Sequence, residues 1–366
     1  VLKEGVEYRV TVSSSLKKDE VWAKAGYEVA WSQLELPWKK YIEAVKRPSG
    51  KATFSQSAMD IKVTGTGFEY TFDKKLGAIS SIIVGGKEML KAPLYVSVWR
   101  APMANDLDSW GSSSARSANW KEGYGNFVST EFYSTGLDQL SHYPIYVQPS
   151  EVDGKVYVNI REITLFGVSS AGVQDQYIMG TQYNGLENIY NYIIDGDGEI
   201  TIHHTSKPQG SRLPLYFPRF GLSFILDKSL DKVVYYGRGP QENYPGRKGG
   251  YKIGIYKTTV DDMYVPYIKP GDYGLRTDNR WVKMIDDQGK GLQFKVNELF
   301  NFNAYPFSTE NLTKAIYTYQ LQKQDGITFN LDYASSGVGC SARGVFRSYW
   351  VYPTMFEREI KISPVK

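Results

Sequence analysis

Cysteine is almost missing from this sequence, and histidine, long apolar runs and a marked excess of either charge are missing with it. The single cysteine, Cys340, excludes an internal disulfide and any metal cluster built on several thiolates. Nothing in the small-residue turn around it lowers its pKa, so it reads as an inert thiol rather than a nucleophile. Of the three histidines, His142, His203 and His204, the last two are neighbours on one strand and point to opposite faces. No apolar stretch approaches the ~20 residues of a membrane span. No signal-peptide pattern opens the chain. Val1-Leu2-Lys3-Glu4 leads straight into a strand-like run from Val6 to Val12, as in a polypeptide cut from something longer. The compartment stays open. Lysine and arginine number 43 against 39 acidic residues, a net charge of +4 over 366 residues. With so even a balance and no basic stripe, nucleic acid is not an expected partner, and neither is a membrane. Long amphipathic helices are lacking too; only Ser117 to Gly123 and Glu310 to Tyr319 read as short ones.

What the chain has in quantity is aromatic residues, 29 Tyr, 16 Phe and 8 Trp, which suit pleated surfaces and also stack on sugar rings. Apolar and polar residues alternate at period two in Ile61 to Val63, Phe68 to Phe72, Val156 to Ile160, Ile200 to His204, Phe220 to Leu226 and Phe329 to Tyr333. Turn formers separate these runs, among them Gly85-Gly86, Asp153-Gly154 and Asp195-Gly196-Asp197-Gly198. The last resembles part of a calcium loop but lacks the later ligands, so it reads as a hairpin turn. Strands this numerous predict an all-β sandwich of unusual size. The polar, turn-prone stretch from Trp38 to Gln56 places a boundary near residue 50. The fifty residues before it hold three or four strands, about half of an immunoglobulin-like sandwich.

The densest cluster of functional groups is Tyr236-Gly237-Arg238-Gly239-Pro240-Gln241-Glu242-Asn243-Tyr244-Pro245-Gly246-Arg247. An apolar strand running abruptly into such turn formers sets several polar side chains at a sheet's end on a backbone with little freedom. The alternative is a tight turn whose polar groups satisfy one another. Gly246 to Gly250 is not a phosphate loop, since the Gly-Lys-Ser/Thr ending is absent.

The same twelve residues resemble the Gly-x-Gly-Pro-x-Glu-Asn-Tyr-x-x-Arg signature of bacterial β-galactosidases in glycoside hydrolase family 2. Further stations are similar and fall in the family's order. They are Lys24 to Gln33, Trp99 to Asp106, Leu213 to Leu222, Asp262 to Tyr267, Gly274 to Trp281, Phe300 to Pro306 and Gly337 to Gly339. The resemblance implies a large antiparallel supersandwich, like that of galactose mutarotase, over residues 54–366. The first fifty residues correspond to the C-terminal part of an immunoglobulin-like domain. It also implies that both catalytic glutamates lie on a (β/α)8 barrel outside this chain, so no catalytic residue, metal ligand or cofactor is assigned here. The adjacent carboxylates Asp261-Asp262 and Asp106/Asp108 are not taken as an acid/base pair, and mutarotase chemistry is not expected of these histidines.

The carbohydrate-binding candidates are Arg100, Asn105, Asp106, Glu242, Tyr244, Arg247, Arg280, Trp281 and Arg343. Gly167 to Gly172 corresponds to a mobile loop beside the family's active site. Cys340 to Gly344 matches a loop that in many relatives carries a sugar-stacking tryptophan; this chain has Arg343 there instead. It also has Pro270-Gly271-Asp272-Tyr273-Gly274 where relatives carry Pro-Gln-Glu-Asn-Gly, Tyr317 in place of a histidine and Ser335 in place of a glutamine. Expected partners are a β-galactoside and the parent's barrel. A homo-oligomer, the parent's divalent-metal requirement and a free-standing glycan-binding role stay open.

Overall fold

The alternation at period two becomes strands throughout, and their pairing decides which polar groups meet. The structure is a computed structural model describing residues 2–38, 50–103, 106, 127–167, 183–338 and 345–366, with 127–130 described as backbone. The chain divides into two compact units, Val1–Pro48 and Ser49–Lys366.

In the first unit β1 (Arg9–Ser15) and β2 (Glu28–Glu35) pair as one antiparallel ribbon. Three or four strands were expected there; two are present among the described residues. Val12, Val29 and Leu34 lie exposed on the ribbon. Two strands cannot cover an apolar face between them.

The second unit opens with a meander of β3 (Thr53–Gln56), β4 (Asp60–Gly65), β5 (Phe68–Asp73), β6 (Ala78–Val84) and β7 (Lys87–Glu88). There follow β8 (Leu90–Ser97), β9 (Leu140–Val152), β10 (Lys155–Phe166), β11 (Gly185–Ile194) and β12 (Ile200–Gln209). Then come β13 (Arg219–Leu226), β14 (Lys232–Gly239), β15 (Lys252–Thr259), β16 (Arg276–Asn279) and β17 (Trp281–Ile285). The chain finishes with β18 (Gly291–Val296), β19 (Phe300–Phe307), β20 (Lys323–Ser335) and β21 (Phe356–Val365). A nine-stranded sheet runs β15-β14-β17-β18-β21-β12-β11-β10-β9, and a five-stranded sheet runs β16-β19-β20-β13-β8.

One apolar core joins the large sheet to both smaller ones. Phe294 of β18 meets Phe224 of β13 edge-on at 5.3 Å and Phe329 of β20 at 4.6 Å. Phe72 of β5 meets Tyr192 of β11 at 4.9 Å. Thus the fold is an all-β, antiparallel sandwich of large sheets, as the alternation required.

Helix is scarce. The first, α1 (Phe127–Ser134), forms from a β-branched and aromatic run that local propensity does not favour. The second, α2 (Thr309–Lys314), starts where the Ser308 side chain accepts the Asn311 N–H. It ends well short of Tyr319, a single 3₁₀ turn at Thr318–Gln320 following. The helix expected over Ser117 to Gly123 lies outside the described residues.

Candidate functional site

Along β19 and β20 the two faces of the sheet carry opposite chemistry. Phe300, Phe302, Ala304, Phe329, Leu331 and Tyr333 point into the core. Their neighbours Asn303, Tyr305, Asn330 and Asp332 emerge on the other face, where register places Asn303 opposite Asn330. That outer face is covered as well, so β20 is buried along most of its length. A polar floor results.

Arg219, at the start of β13, donates through Nη2 to Asp272 (3.3 Å) and to Asn303 Oδ1 (3.3 Å). Its Nε stands 3.3 Å from the Asp332 carboxylate. Asn303 returns a bond to Asp272 at 3.0 Å, and Asn330 donates to Asn303 at 2.9 Å. Burial pushes the Asp332 carboxyl up to about 6 although Arg219 pulls it down. Asp272 is raised for the same first reason. Both carboxyls are sealed from solvent. None of Arg219, Asp272, Asn303, Asn330 or Asp332 was among the sequence candidates. For Asn303, Asn330 and Asp332 the signal is Asn and Asp at period two inside otherwise apolar strands; Arg219 and Asp272 carry no such signal.

Arg100 and Asp106 extend this floor. The guanidinium Nη2 donates to Asp106 Oδ1 at 3.2 Å and to the Gly337 carbonyl at 3.2 Å, while Nη1 reaches the Ser336 carbonyl at 3.0 Å. Asp106 also accepts the Met103 N–H at 3.0 Å. Burial pulls the Arg100 pKa down, but the Asp106 and Asp272 carboxylates more than offset it. Both side chains are buried, so their polar atoms serve the chain rather than the surface.

The twelve-residue signature closes over them. Asn243, fully buried, donates to the carbonyls of Arg238 (3.1 Å) and Gln241 (3.0 Å) and accepts both the N–H and hydroxyl of Thr277. Tyr244 packs with Leu275, Val338 and Met103. Glu242 accepts from the Gly274 N–H (2.9 Å), Arg247 Nη2 (3.3 Å) and the Tyr267 hydroxyl. Arg247 lies over the Tyr244 ring at 5.4 Å, with its side chain 53% exposed. Glu242 and Arg247 are therefore the members of this group nearest solvent.

Arg280 and Trp281 keep other company. Trp281 stands opposite Tyr236 across β14 and β17, and Arg280 lies over that tyrosine ring at 5.3 Å while donating to the Asp278 carbonyl at 2.6 Å. Of the nine candidates, Arg100, Asp106, Glu242, Tyr244 and Arg247 come together, and Arg280 and Trp281 form a second group. Asn105, Arg343 and the loop 168–172 lie outside the described residues, as does Cys340.

Several other sequence expectations find a place. Asp195 caps its hairpin by accepting the N–H groups of Asp197 and Glu199, both at 3.0 Å. Asp261 pairs with Lys323 at 2.8 Å and Asp262 with the Thr259 hydroxyl at 2.7 Å. Tyr317 stacks on Tyr319 at the surface, and Ser335 donates to Asp332 at 2.9 Å.

The family described as beta galactosidase small chain matches residues 64–362, and beta-galactosidase domain 4 matches residues 1–37. The β-galactosidase of Priestia megaterium is 31% identical over 333 residues, 91% of this chain and 29% of its own length. That of Actinobacillus pleuropneumoniae is 29% identical over 344 residues, 93% of this chain and 30% of its own. The chain thus spans under a third of these relatives. A galactose 1-epimerase from Lactobacillus acidophilus superposes over 87% of this chain and all of its own at 9% identity, with a TM-score of 0.41, too low to bear on function.

Proposed function

This chain belongs to the beta galactosidase small chain family, and on that premise we propose that it is the C-terminal, non-catalytic portion of a retaining β-galactosidase. In this reading the parent hydrolyses terminal β-D-galactosides through a covalent glycosyl-enzyme. Both catalytic glutamates come from a (β/α)8 barrel in the rest of the polypeptide, and this chain supplies one wall of the sugar pocket and bracing for it. The observation that carries the reading is the succession of matches, domain 4 and then the small chain, across about 30% of full-length β-galactosidases.

The buried chemistry supports it. Retaining hydrolysis needs two accessible carboxyls about 5 Å apart. Asp106, Asp272 and Asp332 are sealed and matched to guanidinium groups, so they cannot reach a sugar. We assign sugar contact to Glu242 and Arg247, with Arg100, Asp106 and Tyr244 as their support, and to the separate pair Arg280 and Trp281. Asn105 and Arg343 stay in the proposed set on the resemblance alone.

Titration calorimetry of the purified chain with galactose and lactose tests this. A wall that needs its barrel binds in the millimolar range or more weakly. Micromolar binding by the chain alone overturns the reading in favour of a free-standing glycan-binding module.

A further inference from the structure

Arg276 opens β16 and is only 4% exposed. Its Nε donates to the Tyr235 phenol at 3.2 Å and its Nη1 to the Gly274 carbonyl at 2.9 Å, both neutral acceptors. Among the described residues no carboxylate oxygen lies within 4.0 Å of this guanidinium, and Nη2 makes no hydrogen bond. The other deeply buried arginines differ in this respect. Arg100 faces Asp106, and Arg219 faces Asp272 and Asp332. A guanidinium taken out of water without a counter-charge costs several kcal/mol unless something else approaches it.

Arg276 lines a cleft of about 430 Å³ shared with Tyr235, Gln241, Tyr256, Lys257, Met263 and Tyr264. The lining also holds two carboxylates, Glu242, which accepts from Gly274, Tyr267 and Arg247, and Asp262, which accepts the Thr259 hydroxyl; neither pairs with Arg276. Lys257 stands exposed in the same lining and adds a second positive charge. Tyrosine faces accept the apolar face of a pyranose, and an arginine fork matches a carboxylate through two parallel hydrogen bonds. The volume lies at the small end of the range for small-molecule sites, enough for one or two sugar rings.

We infer that this cleft is a second saccharide subsite, for a pyranose that carries a carboxylate, with Arg276 holding the carboxylate and the half-buried Tyr256 and Tyr264 holding the ring. Only the sugar body rests on the carbohydrate reading above; the unmatched guanidinium stands without it.

Methyl-labelled methionine in the full chain provides the test, because the sequence holds seven methionines. Met263 reports on this cleft, whereas Met103 reports on the Tyr244 cluster. Galacturonate is expected to shift the Met263 signal, identified by Met263→Leu, and galactose to leave it in place. Arg276→Lys should weaken galacturonate binding about ten- to a hundred-fold, the loss of a charge-assisted hydrogen bond. Should that variant fail to fold, Lys257→Glu at its exposed position carries the test, with roughly several-fold weakening that fades at high salt. An equal Met263 response to galactose overturns the role of charge. An equal response to acetate overturns the sugar, and no response to galacturonate overturns the site. Micromolar galactose binding read at Met103 marks failure of the barrel-dependent wall alone and leaves the Met263 test standing.

Discussion

Arg100 meets Asp106 at 3.2 Å with both side chains buried, so two groups that read from sequence as sugar contacts are tied to each other and, through Arg100, to the carbonyls of Ser336 and Gly337, just past β20. Such a pair is weak evidence for net stability but costly to break from one side. Removing one partner strands the other in a medium that solvates it poorly.

Arg100→Met is therefore expected to destabilise the second unit by about 3–5 kcal/mol. Asp106→Asn should cost less, about 1–3 kcal/mol, because the amide oxygen still accepts the Met103 N–H. Urea unfolding of each variant checks this, and equal costs would contradict it.

Two buried groups give opposite pH dependences. The Asp332 carboxyl rises on folding from 3.8 to about 6, so the folded chain keeps a proton that the unfolded chain has lost. Its contribution to stability falls as pH rises through that window. Burial drives the His204 imidazole down from 6.5 to about 3, so there the unfolded chain binds the proton first. That contribution falls as pH drops through its window. Between pH 4 and 6 the two oppose each other. Relative to the parent chain, the destabilisation of Asp332→Asn should shrink as pH rises, by roughly 3 kcal/mol at most. That of His204→Gln should shrink as pH falls. Urea midpoints measured from pH 4 to 7 separate them; a pH-independent difference for either variant contradicts its assignment.

The first glycine of the signature is required by contact. A Cβ on Gly237 would come within 2.0 Å of Asn279 Oδ1, and Asn279 ties β16 to β19 through the Phe300 carbonyl at 3.0 Å. Gly237→Ala should cost about 1–3 kcal/mol in thermal unfolding, as overpacking does. An unchanged midpoint would show that Asn279 moves aside freely.

Much of the fold was legible because strand faces follow sequence parity. His203 and His204 show it directly: the first is half exposed and paired loosely with Glu359, the second is buried against Tyr333 at 2.8 Å. The site was legible only in part. Arg100 and Asp106 are six residues apart, and Glu242 and Arg247 five, so a local motif could carry them. Arg219, Asp272, Asn303 and Asp332 are brought together by strand register and a returning loop, which no local pattern specifies. The unmatched Arg276 was invisible for the same reason, since a missing partner is a property of the packed chain. The helix α1 escaped because its residues favour strands and surrounding structure overrides them.

The claim that this chain faces a sugar without performing chemistry on it is tested most directly by one assay. The purified chain, made in a host lacking β-galactosidase, is incubated with a nitrophenyl β-galactoside and phenolate release is followed. Release at the buffer rate is the expected result. Enzyme-like turnover that survives purification would mean the chain holds its own carboxyl pair, and the account would be wrong.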